Sequence, residues 1–283
     1  MIKFGPAGNS ESFYNEGNKA TLQMPKWLKQ RGLDVFEYSF GKGVSLSEAT
    51  AKAIGEEAKL NGIELSVHAP YYINLASDDD EKGILSYHYI LQSLTALSWL
   101  GGRRCVFHSG TEGKQKRCEA INRIIARLKE FSLIKHSEGF DNFIICPETM
   151  GKLAQIGDVA EIIEFCKIDE SFYPCVDFGH INAREGGTLK TPAEFERIIL
   201  QLLNELGEEK TKNMHIHFSK IMYTAKGEVK HLTFEDTLYG PEFEPLAEVL
   251  HKYKLTPVII CESAGSQAED SAYMKKLYFD MVK

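Results

Sequence analysis

No stretch of this chain is apolar for long enough to span a bilayer, and no Pro-, Gly- or Ser-rich linker, low-complexity tract or shift of composition divides it. The first absence excludes a membrane helix bundle. The second favours one domain over residues 1–283. No charged-then-apolar leader precedes the first strand-like run, Ile2-Lys3-Phe4, so a cytoplasmic protein is expected. An excess of basic charge is missing too: 40 acidic against 33 basic residues leave a formal charge of -7, which argues against a general nucleic-acid coat and leaves room only for a local basic patch. The six cysteines (Cys105, Cys118, Cys146, Cys166, Cys175, Cys261) show no close pairing, and four lie in strand-like runs, so buried reduced thiols are expected rather than disulfides or thiolate metal sites. What is present is an ordinary soluble composition, 43% hydrophobic and 26% charged, in 283 residues that can bury a large core.

Strand-like and helix-like segments alternate from end to end. Eight short apolar runs read as strands: Ile2 to Phe4, Asp34 to Ser39, Glu64 to His68, Arg104 to Phe107, Phe143 to Cys146, Tyr173 to Val176, His215 to Phe218 and Pro257 to Cys261. Helical stretches fill the intervals, among them Ser47 to Asn61, Lys82 to Leu100, Lys116 to Phe131, Asp158 to Cys166, Pro192 to Leu206, Phe243 to Tyr253 and Glu269 to Met281. Ser45-Leu46-Ser47-Glu48 and Thr191-Pro192-Ala193-Glu194 both fit a capping box. Strict alternation implies parallel strands with right-handed crossovers, and eight repeats at this length predict an α/β fold, a closed (β/α)8 TIM barrel in a single domain. In such a barrel, functional groups stand at the C-terminal ends of the strands.

Seven metal-capable side chains close or follow strand-like runs: His68, His108, Glu148, Asp177, His180, His215 and Glu262. Buried carboxylates and imidazoles are costly unless paired or metal-bound, so their convergence calls for shared positive charge. Nitrogen and carboxylate oxygen without thiolate suit a hydrolytic zinc or manganese site better than structural zinc. The donors outnumber those one tetrahedral ion uses, so two or three ions are expected. His217 reads equally as a supporting or a structural residue, and His88, His136 and His251 as surface or packing residues.

Three stretches give a more specific reading: His68-Ala69-Pro70-Tyr71-Tyr72-Ile73-Asn74-Leu75-Ala76, Cys146-Pro147-Glu148-Thr149-Met150-Gly151 and Cys175-Val176-Asp177-Phe178-Gly179-His180. The chain resembles the endonuclease IV family, the zinc-dependent abasic-site endonucleases of AP endonuclease family 2, within the xylose-isomerase-like barrels. The resemblance implies a phosphodiesterase of base excision repair that cleaves DNA 5′ to an abasic sugar, with DNA containing abasic sites as partner and no membrane or obligate protein partner. It implies one zinc held by His68 and His108, and Glu148 bridging to a second held also by Asp177, His215 and Glu262, with Glu148 orienting or deprotonating the nucleophile. A third ion would take His180 and His231. Val229 stands where the family has an Asp separated from that histidine by one residue, so the third ion is expected to be lost more easily than the others. Tyr71 and Tyr72 match positions that enter the duplex, and Lys220 and Lys230 are candidate DNA contacts in a basic rim with Lys42, Lys114, Lys116, Arg117, Lys152, Arg184 and Lys226. The loop Ser39 to Val44 offers no family-like Arg, and Leu232 to Phe243 departs from the family's Gly-rich pattern. An alternative from different chemistry is a sugar isomerase or epimerase with one divalent ion on Glu148, Asp177, His215 and Glu262; it has little need of His68, His108 and His231 together.

Overall fold

The computed structural model describes residues 1–283 and places ten strands and ten α-helices along them. The strands are β1 (Lys3–Pro6), β2 (Val35–Ser39), β3 (Glu64–His68), β4 (Arg104–Phe107), β5 (Ile144–Pro147), β6 (Cys175–Asp177), β7 (His215–Phe218), β8 (Ile221–Thr224), β9 (Gly227–His231) and β10 (Val258–Cys261). The helices are α1 (Glu11–Asn15), α2 (Met24–Gln30), α3 (Glu48–Asn61), α4 (Asp80–Leu100), α5 (Arg117–Ser137), α6 (Val159–Cys166), α7 (Phe178–Arg184), α8 (Pro192–Lys212), α9 (Glu244–Lys252) and α10 (Gln267–Met281). All eight strands read from the sequence are present. The antiparallel hairpin β8–β9 is an addition that the alternating pattern did not announce.

The parallel strands run in two ordered sets, β1-β10-β7-β6 and β2-β3-β4-β5, which close on one another at two seams. At one seam Ala7 bridges to Glu37 and the Asp34 amide donates to Phe4 O at 2.9 Å. A side chain cannot fit there: a Cβ on Gly5 would lie 1.8 Å from Val35 O. At the other seam Glu148 bridges to Cys175 and Ile145 to Phe172. The result is a closed (β/α)8 barrel.

Local signals explain the helix starts. Ser47 Oγ accepts from the Thr50 amide at 3.2 Å, so α3 is capped by Ser47 itself rather than through a box from Ser45. At α8, Glu194 Oε2 accepts from the Thr191 amide at 2.7 Å, as the motif predicts. The large apolar core lies between barrel and helices. Inside the barrel, apolar contacts shrink to Val106, Cys146 and Cys175 on one side and Val35, Val258 and Ile260 on the other. Five of the six free thiols are buried; Cys118 is exposed.

Candidate metal centre

Side chains alternate along a strand, so every second residue of each barrel strand faces the axis. On β6 and β7 the register pairs Cys175 with His215 and Asp177 with His217. The upper layer, at the C-terminal strand ends, therefore holds Asp177 and His217, and the layer beneath holds Cys175 and His215. This corrects the expectation for His215. It faces the axis one layer too low, and His217 gathers with Glu148, Asp177 and Glu262, their donor atoms within 4.8 Å of one another.

Glu148 is the hub. Its Oε2 lies 3.0 Å from His68 Nε2 and 3.1 Å from His108 Nε2, and its Oε1 lies 2.9 Å from His217 Nδ1 and 3.4 Å from His180 Nδ1. Burial would raise its pKa, yet His217 and the hydrogen-bonding His108 and His180 hold the carboxyl well below the usual range. Two of the imidazoles are hydrogen-bonded through Nδ1 with Nε2 turned to the site, and a third lies in close contact with a buried carboxylate. His68 Nδ1 donates to Ala69 O at 2.8 Å, His180 Nδ1 donates to Thr149 O at 2.9 Å, and His217 Nε2 lies 2.9 Å from Glu37 Oε1. Such partners orient metal-ligating imidazoles and raise their basicity.

Sequence reasoning missed Glu37. It is fully buried beneath the site, accepts from Ser66 Oγ at 2.8 Å and touches His215 Nε2 at 3.0 Å. Burial works against its charge, but His217 and His215 keep it well below the carboxylate range. Burial brings His215 down to about 4 despite Glu37, so its imidazole is neutral at pH 7. The available signal was a lone carboxylate inside the apolar run Val35-Phe36-Glu37-Tyr38.

His180 sits on α7, whose amide at His180 donates to Asp177 Oδ1 at 2.8 Å. The hairpin β8–β9 folds over this helix and brings Glu228 and His231 to it, a third donor group with His180. Glu228 Oε2 lies 3.5 Å from His180 Nε2, and His231 Nδ1 is 2.8 Å from Ser219 Oγ. The hairpin is seated by Gly151, whose carbonyl accepts from the Glu228 amide at 3.1 Å. A Cβ on Gly151 would stand 2.7 Å from Glu228 Cβ and 3.0 Å from His180 Cδ2. Val229 is the extra residue of a β-bulge, since Glu228 pairs with Tyr223 and Lys230 with Met222, and it stands 47% exposed. The carboxylate that stands beside His180 is therefore that of Glu228 and not one at position 229.

The donor set fits divalent cations. Glu148, Asp177, Glu262 and Glu228 converge without a lysine or arginine among them, and Asp177 Oδ2 is buried with no hydrogen-bond partner. Positive charge at these points would satisfy that oxygen and offset the carboxylate repulsion. The lower group of Cys175, His215 and His217 is different, because burial pushes the Cys175 thiol up and keeps it protonated.

Around the mouth, Tyr71 is 59% exposed and stacks on His108 with centroids 5.9 Å apart, and Tyr72 stands exposed beside it. The rim is less basic than the sequence suggests. Lys220 is buried, with Nζ donating to Asp236 O and Glu242 Oε1 at 2.7 Å each, so it is removed from the candidate DNA contacts. Arg117 pairs with Glu161, and Arg184 donates to Lys152 O at 2.7 Å. Lys42, Lys114, Lys116, Lys152, Lys226 and Lys230 remain exposed.

The fold has counterparts. Residues 25–277 match the family model of the xylose isomerase-like TIM barrel, and the chain belongs to that family. It is 31% identical over 282 residues to an uncharacterized protein of Methanocaldococcus jannaschii, covering 99% of this chain and 98% of that one. A probable endonuclease 4 of Ureaplasma parvum is 28% identical over 167 residues, which is 57% of this chain and 53% of the relative, so the chain spans about half the length of that protein. A solved D-tagatose 3-epimerase-like protein superposes with a TM-score of 0.74 at 20% identity, covering 99% of this chain and 98% of that one, a likeness of fold alone. The family is enzymatic, and curated relatives of this chain carry the name endonuclease 4. No helix is long and apolar enough to cross a membrane.

Proposed function

We propose that this protein is a metal-dependent phosphodiesterase of the endonuclease IV type, acting on DNA at abasic sites with zinc as the resident ion and manganese as the alternative. The observation that carries the reading is the third donor group, His180, Glu228 and His231, built beside the His68, His108, Glu148 group and the Glu148, Asp177, His217, Glu262 group. Divalent ions bound there would furnish a nucleophile at neutral pH and offset charge on the phosphate and the departing oxygen. His68 and His108 hold one side of the Glu148 carboxylate and His217 the other, so Glu148 is fixed at the centre of the donor field, placed to orient the attacking group or take its proton. Glu37 holds His217 from below. Tyr71 and Tyr72 offer exposed rings beside the donors for stacking on an unpaired nucleotide, and Lys230 is an exposed phosphate contact at the hairpin.

One observation supports a second reading. Glu148, Asp177, His217 and Glu262 alone form a four-donor set, enough for a single-ion sugar epimerase in which two carboxylates move a proton next to a carbonyl. Metal quantification on the purified protein, alongside cleavage of an abasic oligonucleotide with and without chelator, separates the two. Two or more zinc ions and chelator-sensitive nicking support the phosphodiesterase; one manganese ion and no nicking support the epimerase. Glu148→Gln, isosteric but uncharged, is expected to abolish turnover, and unaltered nicking by that variant would remove Glu148 from the mechanism.

A further inference from the structure

The barrel has a second opening. At the N-terminal ends of the strands, opposite the donor groups, a cavity of about 680 Å³ reaches from the α3–α4 groove to the barrel axis. Its size is that of a small-molecule site, and it shares no residue with the metal centre.

Its charge runs against that of the chain. On a protein of net charge -7, five cationic side chains (Lys3, Lys52, Lys59, Arg103 and Arg104) line the cavity against two carboxylates, Glu56 and Glu64. Glu64 is already paired with Lys3, and the Lys52 ammonium is drawn to Glu48. Neither Arg103 nor Arg104 meets a carboxylate: they donate to Asn142 O at 3.4 Å and Asn213 O at 2.7 Å, and Arg104 also stands over the Tyr173 ring at 5.9 Å and beside the Cys146 thiol. Arg104 Nη1 is buried with no hydrogen-bond partner, a cost the fold bears unless an acceptor arrives.

Two helices end at this cavity, and their carbonyl ends would oppose an anion if left open. Both are closed: α3 by Gly62 and α4 by Gly101, each left-handed, with the Ile63 amide returned to Ala58 O at 2.9 Å and the Gly102 amide to Leu97 O at 3.2 Å. Leu65, Trp99 and Val258 give the remaining wall an apolar character.

We propose that this floor cavity binds a small organic anion, its carboxylate or phosphate group directed to Arg104 and its flat apolar body against Trp99 and Leu65. The assignment is independent of the chemistry at the mouth.

The test is a fluorescence titration of the metal-loaded protein with 8-anilinonaphthalene-1-sulfonate, an anion with an aromatic body. One saturable site is expected, unchanged by chelator and by Tyr71→Ala. Arg104→Met and the surface pair Lys59→Glu with Arg103→Glu should each weaken binding at least tenfold. The surface pair decides the matter if Arg104→Met loses its near-ultraviolet dichroism. Displacement of the dye by benzoate or by phenyl phosphate supports the site and identifies the headgroup. No saturable binding, displacement by neither competitor, or affinity indifferent to the cavity variants would overturn it.

Discussion

Replacing Glu228 by Gln removes one charge and almost no volume from the third donor group. The residue is held by its amide on Gly151 O and reaches His180 Nε2 at 3.5 Å, so the variant should keep its backbone position and lose only its carboxylate. Partners one shell out from a metal are worth about 10- to 100-fold in affinity, and a charged direct donor should meet or exceed the upper figure. We therefore expect the third ion to bind at least about 100-fold more weakly, or about 2.8 kcal/mol at roughly 1.4 kcal/mol per decade. Val229→Asp is the matched control. The sequence suggests that an Asp at 229 would complete the group, but that side chain points outward from β9 and should add nothing. Metal content measured against graded chelator should read three equivalents for the parent and for Val229→Asp, and two for Glu228→Gln. A third ion retained with unchanged affinity in Glu228→Gln, or tightened in Val229→Asp, would refute the placement of Glu228 as the donor.

Gly151→Ala should act on the same group through sterics: its methyl must displace Glu228 or His180, costing about 1–3 kcal/mol of stability and lowering occupancy of the third ion first, as urea unfolding and metal content will show. Asp169 lies far from the site, where burial is outweighed by hydrogen bonds from Ser132, Ser171 and His136 that hold its carboxyl well below its ordinary 3.8. A depressed carboxyl contributes its stability above the unfolded value and loses it as pH falls, so Asp169→Asn should cost about 2 kcal/mol at pH 7 and progressively less below pH 4, measured by urea unfolding in chelator. With Arg117, Arg184 and Lys220 tied into the fold, at most the six exposed rim lysines can meet phosphates, and abasic duplex affinity should fall with salt at a log-log slope no steeper than about -5. A steeper slope in a fluorescence-anisotropy salt series would mean that further cations take part.

The barrel was legible because short apolar runs alternate with helical stretches from end to end, and two of the helices start on readable caps at Ser47 and Thr191. The height of a donor within the barrel was not. His215 and His217 share one face of β7, and only the register against β6 shows that His217 stands level with Asp177. Glu37 lay inside a run that reads as ordinary strand, since its partners His215 and His217 come from the other side of the barrel. The hairpin β8–β9 is an insertion within one crossover, so its contribution depends on how it folds back, which no local period encodes. Val229 looked like a missing ligand because residues 229 and 231 share a side of a regular strand, whereas a bulge at Val229 turns that residue outward and brings Glu228 to the side of His231.

The hairpin also bears on the choice between the two chemistries. The four donors Glu148, Asp177, His217 and Glu262 come from the ends of β5, β6, β7 and β10 and are set by the barrel alone, so they serve a single-ion enzyme as well as a multi-ion one. Glu228 and His231 come from outside the barrel, and two close approaches, at Gly151 and Gly227, are needed to seat them. A Cβ on Gly227 would lie 2.2 Å from Gly151 O, so neither position tolerates a side chain without moving the hairpin. Two glycines and a hairpin that bring a carboxylate and an imidazole onto His180 support the proposed multi-ion phosphodiesterase over a single-ion enzyme, which would have no use for them.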